Sequence, residues 1–461
     1  MSKGHSWNIT EADLNEGQKG LIKAGVKWWG SGDQNLVVAG EPGTGKTSVV
    51  EFLLRKLTGA VPLFNAPTHE AAGQLRDKLT RTKFHCETSH RALGLKVNKG
   101  YRDLVFERGQ PPKEFLDCNV FLMDEASMAD LGTEEKKGLM RHAMECYRKI
   151  IWLGDWAQLP PIGSVSGDSP IFEACFQTET LTKVERHEGD ILTYVQKVRE
   201  EILKPARTVP KVFGEIRELK AKAGLTPEFT KEMLREIAEG RGRIITWTNG
   251  KTSASIVPGV REYNQLVREF KYGKQMAEAH PFLESEVIVL SSPSFLFESD
   301  ADAHAALRNL DFKDASLKRQ AATNARGQVT RVSGVSLLGV ECYRLELDLL
   351  RGGKTVIFVP TLKGKTKYDS TLKEIQRRAD NAGRDARDIY RLKHTFGELF
   401  TMATPSYAQT GQKCQGSTVE SVYVDVRNIL QMRPSEWKVA YKLLNVACSR
   451  SSKKLTLIRG V

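Results

Sequence analysis

Gly40-Glu41-Pro42-Gly43-Thr44-Gly45-Lys46-Thr47 is the stretch whose reading decides the fold. It follows the apolar run Leu36 to Ala39 and precedes a segment, Lys46 to Leu57, in which Val49, Val50, Leu53, Leu54 and Leu57 recur at helical spacing. Strand, glycine-rich turn and helix in that order make a phosphate-binding loop of the form G-x-x-x-x-G-K-[ST]. Gly43, Thr44 and Gly45 lie where backbone N–H groups turn toward phosphate oxygens, and the helix N-terminus adds positive potential. Lys46 can reach the β- and γ-phosphates and Thr47 can ligate Mg²⁺, so ATP and Mg²⁺ are the expected ligands.

Working outward, a phosphate loop needs a second strand that holds the metal and activates water. Val120-Phe121-Leu122-Met123-Asp124-Glu125 supplies it: Asp124 suits the first or second shell of the metal, and Glu125 suits a general base for the attacking water. A further strand, Ile150 to Leu153, leads to Gln158, an amide able to bond a γ-phosphate and lose that bond after hydrolysis. Val61 to Asn65 is another strand, and the alternation with helices predicts a parallel α/β sheet.

The same alternation returns later. A helix is expected from Thr226 to Gly240, with Thr226 as N-cap and Pro227 in the first turn, leading into the strand Arg243 to Thr246. Ser421 to Val426 and Lys454 to Ile458 are strand-like as well. Between them the pattern changes. Glu286 to Leu290, Gly327 to Val332, Val340 to Leu349 and Thr355 to Val359 are short β-like runs, followed by a basic helical stretch that includes Lys363, Arg377, Arg387 and Lys393. That stretch reads either as a DNA contact or as a solvated face interleaved with Asp380, Asp385 and Asp388. The segment Gly94 to Cys118 interrupts the first part and reads as a small hairpin insertion.

The 461 residues fit two or three domains. The formal charge of +13 suits a polyanionic partner, because Lys and Arg near phosphates release counterions on binding. Seven scattered cysteines with no C-x-x-C pair predict reduced thiols, with neither zinc nor disulfides. The opening Met1-Ser2-Lys3-Gly4-His5-Ser6-Trp7 lacks a signal-peptide core and no run approaches the length of a membrane span, so the expectation is cytoplasmic residence without a membrane.

Taken in order, the motifs resemble those of superfamily 1B DNA helicases, in particular the RecD-like and phage Dda-like branches. Leu14 to Lys19 resembles the segment whose Gln reads adenine, which gives that role to Gln18. Ala66 to Ala72 and Thr88 to Leu93 are similar to the DNA-contacting loops and carry over Pro67, Thr68 and His90. Leu181 to Arg186 resembles the motif that brings an Arg, here Arg186, to the γ-phosphate. Thr248-Asn249 resembles the next motif and makes Asn249 a strand contact, with Asn264 beyond a lengthened segment. Tyr407 to Thr418 is similar to Y-A-x-T-x-H-K-x-Q-G-S-T, with Gln412 in place of His; the pattern assigns Gln415 and Gly416 to the nucleotide, and Ser417 and Thr418 to DNA or to interdomain coupling. Asn445 to Arg450 resembles the last motif and makes Arg450 an arginine finger.

The resemblance implies two tandem RecA-like domains: residues 1–186, with a pin hairpin at 94–118, and residues 187–281 with 401–461. An SH3-like, β-rich insertion would occupy 282–400. It implies an ATP-driven DNA helicase moving 5′ to 3′ on single-stranded DNA, as a monomer, acting at single-strand to duplex junctions in phage-like replication, recombination or repair, with single-strand-binding or replication proteins as further partners. Phe106 in the hairpin is then either a strand-separating wedge or an aromatic that packs the hairpin. An RNA-directed or translocation-only ATPase, and a nucleotide-switched single-strand-binding subunit, are the competing readings.

Overall fold

The computed structural model describes residues 10–79, 84–133, 136–147, 149–161, 164, 166–184, 189–204, 209–222, 224–251, 255–297, 317–415 and 417–460. Two compact units emerge. One is drawn from residues 1–94, 110–263 and 408–461, the other from 95–109 and 264–407.

The first unit contains the two parallel sheets expected of tandem RecA-like domains. In one, six strands run in the order His85–Thr88, Pro62–Ala66, Val120–Met123, Lys149–Gly154, Asn35–Gly40, Gln177–Leu181, every neighbouring pair parallel. The central strands are buried along almost their whole length, which is why they read as continuous apolar runs and not as alternating ones. Leu36, Val38, Leu122, Ile151 and Leu153 pack against Val49, Val50, Leu53 and Leu54 of the helix Lys46–Lys56. Burying each such side chain stabilises the fold by about 1.5–3 kcal/mol.

The second sheet runs Ala408–Thr410, Gly242–Thr246, Val419–Asp425, Ser451–Gly460, Arg217–Ala221, again all parallel. Its core joins Ile245, Val422, Val424, Leu455 and Leu457 to the helices Gly189–Leu203 and Trp437–Cys448. One expected helix start is corrected here: the helix is Lys231–Ala238, capped by Thr230, whose hydroxyl oxygen accepts from Met233 N at 3.2 Å. Thr226 is not the cap because Phe229 is held outside the helix, its ring edge-on to Tyr263 and Tyr423 at 6.2 and 5.6 Å. Val426 also leaves its expected strand. It opens the short helix Val426–Leu430, which Asp425 caps by accepting from Asn428 N.

In the second unit, a five-stranded antiparallel sheet has the order Lys354–Pro360, Val340–Leu349, Arg326–Leu337, Val287–Leu290, Ala403–Pro405. One face encloses Ile288, Leu290, Val329, Leu345, Leu347 and Ile357. Val340 and Cys342 instead meet Ile375, Phe396, Leu399 and Phe400 from the basic stretch, which folds as the helices Leu362–Asn381 and Ala386–Glu398. Much of its charge is spent locally: Arg377 pairs with Glu374, Arg391 with Asp388 and Lys365 with Asp369, the pattern of a solvated face.

The hairpin insertion consists of the antiparallel strands Leu95–Asn98 and Val105–Arg108, with Val97 opposite Phe106. Its turn is fastened to the helix Ala386–Glu398 by several contacts. Lys99 pairs with Glu398, Lys393 Nζ donates to Arg102 O at 2.9 Å, and the Arg387 guanidinium lies 5.7 Å from the Tyr101 ring centroid.

Candidate nucleotide cleft and its neighbours

Parallel strands end on one edge, so every loop after a carboxyl end of the first sheet is delivered to the same side. Gly40 leads into the phosphate loop, Met123 into Asp124 and Glu125, Gly154 into Gln158, Ala66 into Pro67 and Thr68, and Thr88 into the short helix Ser89–Ala92 with His90. The second sheet adds residues from its amino edge. Thr418 and Arg450 immediately precede the paired strands Val419–Asp425 and Ser451–Gly460, and Val419 N donates to Arg450 O at 3.0 Å.

Together these elements enclose a cavity of about 720 Å³. Gln18, Gly43, Gly45, Lys46, Thr47, Asp124, Glu125 and Gln158 line it from the first sheet, and Thr418 and Arg450 from the second. Gly43 and Gly45 have φ of 94° and 79°, in the left-handed region that glycine adopts without strain. A Cβ at Gly40 would stand 2.7 Å from Thr44 Oγ1 and 2.9 Å from Leu181 O. Any larger residue there would push the loop off its strand.

Lys46 Nζ donates to Gly40 O at 2.7 Å and Glu41 O at 3.0 Å, tethered to the loop it serves. Burial lowers its pKa, a tendency opposed by Asp155, Asp124 and Glu125. Thr47 Oγ1 lies 3.4 Å from Asp124 Oδ2, a hydroxyl and a carboxylate facing one cavity wall as a divalent cation requires. Glu125 takes φ 53°, unusual for a residue with a Cβ, while its N–H donates to Asp124 Oδ1 at 2.9 Å. Burial raises the Glu125 pKa, Asp124 adds to the rise, and Arg450 and Lys46 oppose it. Arg450 is buried, its Nε donating to Val446 O and its Nη2 to Ser449 Oγ, both at 3.1 Å.

Two further residues cross between the sheets or hold the entrance. Gln415 Nε2 donates to Gln158 Oε1 at 2.9 Å, joining an amide from each sheet. Gln18 caps its own helix reciprocally with Asn15 and sends Nε2 to Thr44 O at 3.4 Å.

The expected strand-contacting residues are more dispersed. Thr68 caps the helix His69–Lys78, accepting from Ala71 N at 3.1 Å, beside Pro67. His90 is half-buried, with its pKa lowered by burial. Its helix is tied to the sheet by Ser89 Oγ, which donates to Asn65 Oδ1 at 2.7 Å. Asn249 is exposed beyond the carboxyl end of Gly242–Thr246, on the edge of the second sheet opposite Arg450. Ser417 Oγ donates to Cys414 O, whereas its neighbour Thr418 faces the cavity. Phe106 is 40% exposed on the hairpin. Arg186 and Gly416 lie outside the described residues. Gln74, Asp77 and Lys78 also line the cavity, a placement that follows from the helix after Thr68 and that no motif signals.

Residues 13–219 match a family model described as an AAA domain. The chain is 28% identical over 199 residues to the ATP-dependent DNA helicase dda of Enterobacteria phage T4, over 41% of this chain and 44% of that protein, so it spans less than half the length of that relative in the match. Among solved structures it is similar to Bacteroides Pif1 bound to ssDNA, at 14% identity and a TM-score of 0.48, covering 96% of this chain and 92% of the other. It is likewise similar to Pif1 helicase from Candida albicans, at 15% identity and a TM-score of 0.42, covering 97% and 94%. The chain thus matches an AAA-domain model over residues 13–219, the stretch that holds the phosphate loop, and is similar over 199 residues to a phage DNA helicase.

Proposed function

We propose that this protein is an ATP-dependent DNA helicase of the superfamily 1B kind, which hydrolyses ATP in the cleft and moves 5′ to 3′ on single-stranded DNA. One observation carries the reading: the phosphate loop with Lys46, and the acids Asp124 and Glu125, face Arg450 from a second parallel sheet across one cavity. The similarity to a phage ATP-dependent DNA helicase supports DNA as the track.

In this reading Gly43, Thr44, Gly45 and Lys46 hold the phosphates, Gln18 meets the base, and Thr47 with Asp124 would hold the Mg²⁺ that neutralises phosphate charge. Glu125 accepts the proton of the attacking water, and Arg450 stabilises charge on the transferred phosphoryl group, with Arg186 assigned to the γ-phosphate by motif alone. Gln158 borders the phosphates and bonds Gln415, with Gly416 assigned to the nucleotide by motif alone, so closure of the two sheets is favoured while the γ-phosphate is present and lost after cleavage. Pro67, Thr68, His90, Asn249, Ser417 and Thr418 grip the strand or couple it to the cleft, and Phe106 parts the duplex. Phosphate contacts and base stacking, the latter worth roughly 1–3 kcal/mol per base, give such a grip its salt dependence and its tolerance of sequence.

The test is ATP turnover with and without single-stranded DNA, then with RNA, followed by unwinding of duplexes bearing a 5′ or a 3′ tail. Nucleic-acid-stimulated turnover and preference for the 5′ tail are expected. Turnover indifferent to DNA would sink the motor, and preference for a 3′ tail would sink the direction alone.

A further inference from the structure

The helix Gly189–Leu203 belongs to the core of the second sheet: Tyr194, Val195, Val198 and Ile202 pack there with Val422, Val424 and Tyr441. Arg199 sits on that same buried stripe, four residues after Val195 and three before Ile202, where an apolar side chain would continue the pattern. Its guanidinium instead reaches the first sheet. Nη1 donates to Asp155 Oδ2 at 2.8 Å, Nε lies 3.3 Å from Glu41 Oε1, and the group stacks 4.8 Å from the Trp156 ring centroid. Arg199 and Asp155 are both buried.

Each partner leads to a different part of the proposed machinery. Glu41 is the second residue of the phosphate loop, and its carbonyl is one of the two that hold Lys46 Nζ. Asp155 O accepts from Gln158 N at 3.0 Å and from Ser127 Oγ at 2.9 Å, two residues beyond Glu125. A buried guanidinium confers little net stability over a well-packed apolar residue, because desolvation offsets most of its pairing. What it does confer is a fixed geometry between three elements.

We infer that Arg199 is a positioning residue: through Glu41 and Asp155 it sets the phosphate loop and the Gln158 turn from a helix of the second core, making the grip on ATP depend on how the two cores stand. The inference rests on the proposed ATPase and adds a residue that no motif assigns. It differs from Arg450 in kind, since Arg199 meets the loop through the Glu41 side chain and is absent from the cavity lining.

Removing Arg199 outright would leave Asp155 buried without its cation and endanger folding, so the test uses milder changes. Glu41→Gln keeps the shape of the loop and leaves the Arg199 to Asp155 pair in place. Arg199→Lys keeps a charge for Asp155 but lacks the Nε donor that faces Glu41. KM for ATP with saturating oligo-dT, Kd for ATP by equilibrium binding and thermal midpoints are measured for both variants and their combination. Each single variant is expected to raise KM and Kd at least fivefold, on the order of 1 kcal/mol, and the double variant no further than the larger single, because both remove one contact. Unchanged KM and Kd with lowered midpoints, or effects that add in the double variant, would overturn the inference. Wild-type protein without DNA-stimulated turnover would sink the proposed function instead, and the Kd series would still decide the role of Arg199.

Discussion

Truncating Arg450 to Ala separates what the cleft needs for binding from what it needs for chemistry. Arg450 follows the helix Trp437–Cys448 at the amino edge of the second sheet, buried, with its guanidinium bonded to Val446 O and Ser449 Oγ. Those two bonds run from a charged donor to neutral acceptors, and their loss, about 0.5–1.5 kcal/mol each or about 1–3 together at the lower end for such pairs, is reduced by no longer burying a charge. The effect on turnover is far larger if Arg450 meets the transferred phosphoryl group: arginine fingers are worth about 10³–10⁵ in kcat, equivalent to about 4–7 kcal/mol at 1.36 kcal/mol per decade. Stability and catalysis therefore separate by several kcal/mol. Because the phosphate loop and Lys46 remain intact, the Kd for ATP should change little, so the loss appears in kcat and not in KM. Arg450→Lys keeps the charge without the planar fork and is expected to recover only a small part of the loss. The assay is DNA-stimulated ATP turnover beside ATP binding and a thermal melt. Turnover within about tenfold of wild type in Arg450→Ala, a deficit under 1.4 kcal/mol, would refute the finger assignment.

Glu125→Gln should abolish turnover while raising the thermal midpoint at neutral pH. Burial raises the Glu125 pKa above its ordinary 4.5, so its contribution to stability is fully present below that value and is lost as pH rises through the folded pKa; the variant's advantage should therefore disappear in acid, and an advantage equal at every pH would refute the cause. Phe106→Ala, at an exposed position, should leave stability within about 0.5 kcal/mol and spare DNA-stimulated turnover while reducing unwinding of tailed duplexes; equal loss of both activities would remove Phe106 as the wedge. Thr230→Ala removes the acceptor for Met233 N and should cost about 1 kcal/mol in denaturant unfolding with turnover unchanged.

The parts of the cleft legible in the sequence are those made by short, contiguous segments. Gly40 to Thr47 reads as turn between strand and helix because the apolar run before it and the helical spacing after it are local signals, and Val120 to Glu125 carries its apolar strand and its acids in one run. Strand order is set by long-range pairing, so Gly40 beside Leu181 and Gly154 beside Ala39 are visible only in the folded chain. Arg199 was missed because an Arg in a helix usually covers a solvated face; only its place among Val195, Val198 and Ile202 signals burial. The start of the helix at Thr230 was obscured by a competing cap signal four residues earlier, which lost to the packing of Phe229 against Tyr263 and Tyr423. Thr418 and Ser417 are adjacent with similar chemistry, and only the turn after Cys414 directs the first toward the cavity and the second back to a carbonyl.

The burial of these groups weighs between a motor and a switch that merely holds a strand. A nucleotide-binding switch needs the phosphate loop, a cation site and some contact sensitive to the γ-phosphate, the role proposed for Gln158 and Gln415, which bond each other across the sheets. It does not require the general base that the proposed assignment makes of Glu125. A partly buried carboxylate beside Asp124 and held at φ 53° costs the fold on the order of 1–3 kcal/mol in backbone strain, on top of desolvation, and a Gln there would relieve the desolvation while a Gly would relieve the strain. The same applies to Arg450, whose bonds to Val446 O and Ser449 Oγ would be simpler to replace by an apolar packing. A raised pKa makes Glu125 a better proton acceptor, since the ideal catalytic pKa lies near the working pH. On the proposed assignment, these two costs at one cavity both serve the attack of water on a phosphoryl group, and that favours turnover over a static grip.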